Sequence, residues 1–150
     1  MKTLKNKLIK IKNMAPLALA GSALLSQTIF AADITLTGAQ AQQLAQTLQQ
    51  IGVQSSQDEQ GGRVLLTREI NCTRQVTQNV QTDCMVHEYT QDIRIQTQSE
   101  LASQLYQQLQ SAGAQYDSDT PEETKVGVYM LSCYQSLRPD QSQCQGQAHN

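Results

Sequence analysis

Four cysteines carry the clearest chemistry in this sequence: Cys72, Cys84, Cys133 and Cys144. None belongs to the close CxxC pairs from which zinc sites and thiol redox motifs are built, so no metal is expected at them. In a chain exported to an oxidising compartment, four cysteines read as two disulfides, and three connectivities exist. An internal repeat, set out below, selects Cys72–Cys84 and Cys133–Cys144. Each bridge then closes a loop of about a dozen residues across a hairpin, where opposed strand positions fall within bridging distance. A loop of that length is worth roughly 3 kcal/mol per bridge in the chain-entropy model.

The remaining reactive inventory is thin. His149 is penultimate, and His87 lies in Met85-Val86-His87-Glu88-Tyr89, whose alternation puts His87 and Tyr89 on one strand face and Val86 and Glu88 on the other. His87 becomes a general base or pH sensor only if a carboxylate such as Glu88 or Asp92 converges on it inside a cleft; in a flat setting it is an ordinary strand histidine. No GxSxG, HExxH or phosphate-binding glycine loop occurs, so neither an enzyme nor a cofactor is expected. The acidic stretch from Asp117 to Glu123 superficially resembles a calcium loop. An EF-hand needs glycine at its sixth position, where this stretch has Glu122 after Pro121, so it reads as a solvated loop.

Candidate partner-binding residues lie on turns and strand faces. Leu137-Arg138-Pro139-Asp140 sits between Cys133 and Cys144, so a disulfide would clamp the base of an exposed loop. A clamped loop loses little entropy on docking, and Leu137 and Arg138 are suitable anchors. The matching tip in the first half begins Thr73-Arg74-Gln75. By simple alternation Val126, Val128 and Met130 share one face of a strand, with Tyr129, Leu131 and Cys133 on the other. A strand apolar on both sides is either covered at the sheet centre or presents an open face to another protein. The equivalent earlier strand alternates Val64, Leu66, Arg68, Ile70 and Cys72 against Leu65, Thr67, Glu69 and Asn71, with Arg68 interrupting the apolar series.

These residues are positioned by a chain that reads as two copies of one unit, about 33–93 and 94–150, at an offset of 61. The matched pairs are Ile34/Ile95, Ala41/Ala102, Leu44/Leu105, Leu48/Leu109, Gly52/Gly113 and Cys72/Cys133; Cys84 and Cys144 match at an offset of 60. Each copy opens with a short strand and a helix. Ala41, Leu44, Ala45, Leu48 and Ile51 recur at helical spacing, as do Leu101, Ala102, Leu105, Leu109 and Ala112. Thr37/Gln40 and Thr97/Glu100 resemble capping boxes, and Gly52 and Gly113 sit where a helix ends in a left-handed residue. The opposite helix faces are nearly all glutamine. A polar loop, a β-run, a turn and a returning strand follow in each copy, with the last strand, 145–148, expected to be short or frayed. Two helices packed on one face of an antiparallel sheet bury both stripes, so the fold class is α+β, a single domain over 32–150 built from two tandem helix-plus-β-hairpin repeats.

Upstream lies a different composition. Lys2, Lys5, Lys7, Lys10 and Lys12 precede an apolar run from Met14 to Leu25 and then small residues to Ala31, the pattern of a bacterial secretory signal peptide cleaved near residue 31. The run is too short to span a bilayer, so no stable membrane insertion is expected after cleavage. The processed chain keeps six Lys and Arg residues against all thirteen carboxylates, a formal charge of −7. Scattered single cations on an acidic surface disfavour nucleic acid and anionic membranes. The sequence therefore reads as a periplasmic or secreted, non-enzymatic module that binds another extracytoplasmic protein, of the inhibitor or envelope-accessory kind. The alternatives are a small hydrolase-like enzyme using His87 and a structural envelope protein without a specific ligand.

Overall fold

The computed structural model describes residues 33–114 and 116–148; the segment 1–31 and His149 lie outside them. The elements in order are β1 (Asp33–Thr37), α1 (Gly38–Ile51), β2 (Ser55–Gln57), β3 (Arg63–Val76), β4 (Val80–Glu88), β5 (Arg94–Gln98), α2 (Ser99–Ser111), β6 (Tyr116–Asp119), β7 (Glu123–Gln135) and β8 (Gln143–Ala148). The fold is α+β, with two helices and an antiparallel sheet ordered β1-β8-β7-β3-β4-β5; β2 adds to β3 and β6 to β7. Of the apolar stripes read from the sequence, Ala41, Leu44, Ala45 and Leu48 in α1 and Ala102, Leu105 and Leu109 in α2 are buried, Ile51, Leu101 and Ala112 are partly covered, and Tyr106 joins the buried face of α2. They share one core with Leu65, Ile70, Val86, Val126, Val128 and Leu131 of the sheet. Among the described residues no helix is long and apolar enough to cross a membrane.

The two disulfides are Cys72–Cys84 and Cys133–Cys144. Each joins directly opposed residues of neighbouring antiparallel strands, β3 with β4 and β7 with β8. Both lie beneath the helices, with Cys84 Sγ 3.4 Å from the Ala102 carbonyl and Cys144 Sγ 3.5 Å from the Ala41 carbonyl.

Three local expectations are corrected. The capping boxes do not form: neither helix has a side-chain cap, and Thr97 belongs to β5, with Gln98 preceding α2. Each strand runs straight into its helix through a left-handed residue, Gly38 at φ 66° and Ser99 at φ 66°. The freed Gly38 N–H donates 2.9 Å to the Ser142 carbonyl. The last strand is not a frayed end either. β8 lies between β7 and β1, with Cys144 and Ala148 buried, because β1 returns to pair with it from Asp33↔Gln147 to Thr37↔Gln143. Gly146 permits this closeness, since a Cβ there would stand 3.1 Å from the Leu131 Cα and from Val128 Cγ1.

The third correction concerns the strand faces. Register shifts between Thr67 and Glu69 in β3 and between Tyr129 and Ser132 in β7. An extra residue in one strand turns the following side chains to the other face. Buried positions therefore run Leu65, Thr67, then Ile70, Cys72 in β3, and Val126, Val128, then Leu131, Cys133 in β7. Met130 adopts φ 51° and turns outward, 53% exposed, away from Val126 and Val128.

Glu88 is fully buried on the same side as Val86. Its carboxylate accepts the Gln54 N–H at 2.7 Å and the Gln91 N–H at 2.9 Å. Two charge-assisted bonds offset the desolvation of the buried carboxylate, and they tie the segment after α1 to the turn between β4 and β5.

Candidate functional site

The hairpin tip between β7 and β8 is locked from below and open above. A 3₁₀ turn covers Pro139–Gln141. The Ser136 N–H donates to Ser142 Oγ at 3.0 Å, and that hydroxyl donates onward to Gln42 Oε1 of α1 at 3.0 Å. Ser136 Oγ accepts the Arg138 N–H at 3.1 Å, while the Gln141 and Ser142 amides bond the Arg138 and Pro139 carbonyls. Ser142 is wholly buried, whereas Leu137 is 74% exposed and Arg138, Pro139 and Asp140 all face solvent. Disulfide, serine pair and helix contact together tie the base of the four exposed residues to the sheet and to α1.

The turn between β2 and β3 buttresses this tip. A Cβ on Gly61 would come within 2.9 Å of Leu137 Cδ1, and one on Gly62 would run into the Tyr134 phenol. The Tyr134 hydroxyl donates to the Asp58 carboxylate, which also accepts the Gln60 N–H at 3.0 Å and the Gly62 N–H at 2.8 Å. The Tyr134 bond is the main reason that Asp58 is held below the ordinary carboxylate range, and it raises Tyr134 above the ordinary phenol value. Because the folded state favours ionised Asp58, its support of the turn is present above the unfolded-state pKa and is lost as pH falls through the lowered folded value. We expect Asp58→Asn to return Tyr134 ionisation toward about 10, read by nuclear magnetic resonance titration of the Tyr134 ring; an unmoved titration would refute the contact.

A second cluster lies on the sheet face opposite the helices. His87 Nε2 donates to Asp92 Oδ1 at 2.6 Å, and Arg68 Nε lies 3.5 Å from the same oxygen. The Arg68 guanidinium stacks on Tyr89, 4.5 Å from the ring centre. The His87 hydrogen bond, aided by the Arg68 charge, holds Asp92 below its ordinary range. Strand pairing sets His87 between Glu69 and Arg94. Asp92 is the converging carboxylate that a catalytic His87 requires, yet Glu88 turns inward and the Asp92 side chain is 68% exposed. The His87 side chain is 16% exposed, so the pair combines a largely covered imidazole with a carboxylate open to solvent. The break that Arg68 makes in the apolar series is the sequence mark of the bulge between Thr67 and Glu69, which sets its guanidinium beside Asp92.

Two clefts lie apart from these features. One of about 300 Å³ lies between the helices above Leu36, lined by Gln40, Gln43, Gln104, Gln107 and Gln108. The other, about 310 Å³, lies where β1, β8 and β7 meet beside Met130 and Gly146. Among the described residues no three His, Cys, Asp or Glu side chains come together to hold a metal.

The candidate partner-binding residues do not form one surface. Leu137 and Arg138 share the locked tip. Arg74 is exposed at the far end of the central strand pair, opposite Thr124, roughly 35 Å from the tip at the rise of a strand. Met130 stands alone on the open face, and Val126 and Val128 are fully buried, so the expectation that they meet a partner is corrected: the core beneath the helices claims them. Compared with known proteins, the chain matches no protein-family model, no curated protein and no solved structure.

Proposed function

We propose that this protein is an exported, non-enzymatic module that binds another extracytoplasmic protein through the tip Leu137–Asp140. The observation that carries the reading is the contrast within that loop: Ser136 and Ser142 are buried and hydrogen-bonded, and the four residues between Ser136 and Gln141 are exposed in a single braced conformation. Large exposed Leu and Arg side chains on a braced backbone supply contact area at a reduced ordering cost. Two buried disulfides favour an oxidising compartment, in keeping with cleavage of residues 1–31 and a periplasmic or secreted single domain over 32–150.

The two-repeat organisation belongs to the same reading. What supports it is coincidence of register: Leu36 faces Cys144 as Thr97 faces Cys84, Ile34 faces Gly146 as Ile95 faces Val86, and the left-handed residues Gly38 and Ser99 differ by the offset of 61. The leading strand of each half pairs with the final strand of the other, the arrangement of two like units exchanging strands about a pseudo-twofold axis.

The test compares proteins retained from the envelope fraction and medium by the oxidised protein, by Leu137→Ala/Arg138→Ala, and by Arg74→Ala. Loss of one or more retained proteins in the tip variant alone, by at least about tenfold for a hot-spot pair, is the expected result. Equal retention by the tip variant, at unchanged thermal stability, would remove the tip from the interface.

A further inference from the structure

β1 and β5 end the main path of the sheet, while β2 and β6 are shorter edges of three and four residues paired to β3 and β7. For the two five-residue edges, backbone parity decides what each offers. The Glu88 N–H donates 2.8 Å to the Ile93 carbonyl, which marks an opposed hydrogen-bonded pair just beyond the β4–β5 ladder. Counting along the unbroken register, Ile95 and Thr97 turn their N–H and C=O groups toward β4, and Arg94, Gln96 and Gln98 turn theirs away from the molecule. The bond from Gly38 to Ser142 sets the equivalent parity in β1, leaving Asp33, Thr35 and Thr37 outward.

The side chains beneath the two edges differ. Ile34 and Leu36 of β1 are 1% and 7% exposed. In β5, Ile95 and Thr97 are only half-buried, Ile93 just before the strand is 41% exposed, and Ile51 is incompletely covered. β5 has no lysine, no proline and no bulge to blunt its edge. Its one charge is Arg94.

We infer that β5 is a homodimer edge, with two copies pairing antiparallel about Gln96. In that register Gln96 faces Gln96 of the second copy, and Arg94 faces Gln98 at both ends. All the outward N–H and C=O groups of the strand find partners, because the parity is self-complementary about Gln96. On the helix side, Ile95 of each copy meets Thr97 of the other and gains cover it lacks in the monomer. Charge selects the register: centring the pair on Arg94 would oppose two guanidinium groups, whereas centring it on Gln96 sets each against a neutral amide. β1 has the same parity but no uncovered apolar residue to gain by pairing. A closed two-fold contact is also the commonest way for one surface to satisfy itself. A single five-residue strand is a small interface, so the dimer is reversible and forms at high concentration.

Sedimentation velocity and amide hydrogen exchange of the exported, oxidised protein from about 10 µM to about 1 mM test the proposal, a span of two decades in binding equilibrium. The expected result is a monomer–dimer equilibrium that saturates at twice the monomer mass, with exchange at Gln96 slowing as concentration rises and exchange at Thr35 unchanged. Gln96→Lys sets two ammonium groups opposite each other and is expected to weaken association at least about tenfold. Thr35→Lys is expected to leave it intact. A monomer throughout the range overturns the proposal and leaves the edge to a strand of another protein. Species growing beyond the dimer, or protection at Thr35, overturn it in favour of β5–β1 chains. Unchanged association of Gln96→Lys overturns it as well.

Discussion

Val128→Asp is expected to abolish the folded state, or nearly so, whereas Met130→Asp two residues away is expected to change stability by less than about 0.5 kcal/mol. Val128 is wholly buried, faces Ile70 across β3 and lies against Gly146 of β8. A carboxylate there would meet apolar side chains, with the surrounding main-chain groups engaged between strands on both sides. The contrast with Glu88 is instructive, because that buried carboxylate has two backbone N–H groups aimed at it. Without such donors the cost is at least about 4 kcal/mol, a large share of the roughly 5–15 kcal/mol by which a domain is stable. Urea unfolding followed by far-ultraviolet circular dichroism measures both variants. If Val128→Asp unfolded at the parent midpoint, the inversion of β7 at Met130 would be wrong.

Removing either disulfide as a paired Cys→Ala change is expected to lower stability by about 3 kcal/mol, and removing both by about 6 kcal/mol. The two bridges span 12 and 11 residues, so the chain-entropy contribution is nearly equal for the pair. Packing adds to it, since all four cysteines are at most 2% exposed and one sulfur of each bridge, Cys84 and Cys144, lies against a helix carbonyl. The variants differ in a second respect. Cys133→Ala/Cys144→Ala also frees the base of the Leu137–Asp140 tip, while Cys72→Ala/Cys84→Ala leaves that tip braced. Partner retention should therefore fall further in the former than stability alone accounts for. Urea midpoints and retention assays on the same preparations separate the two effects; unchanged midpoints would mean that the bridges add nothing beyond the hairpins they cross.

Arg68 and Met130 mark the limit of what alternation can tell. A helix declares itself locally, because apolar residues recurring every three to four positions have one way to be buried together, and α1 and α2 lie where that spacing puts them. The disulfide partners were legible for a related reason: Cys72 with Cys84 and Cys133 with Cys144 follow from comparing two stretches of one chain. A strand face is less secure. Period-two alternation survives only until a residue is inserted, after which every following side chain changes sides. The alternation read through Arg68 and Met130 therefore misassigned Ile70, Cys72, Val126 and Val128 relative to their neighbours.

By itself the sequence determined the α+β class, both helix stripes and the exposed Leu137–Arg138 turn, which depend on spacing within a few turns or one hairpin, and the paired cysteines, which follow from comparing two stretches of the chain. Only the tertiary structure decided that β1 returns to shelter β8, that Gln42 braces a serine 100 positions away, and that Val128 belongs to the core while Met130 faces water. Those outcomes rest on contacts between distant segments, where two helices must cover one side of a sheet and the strands bulge until the largest apolar side chains lie beneath them.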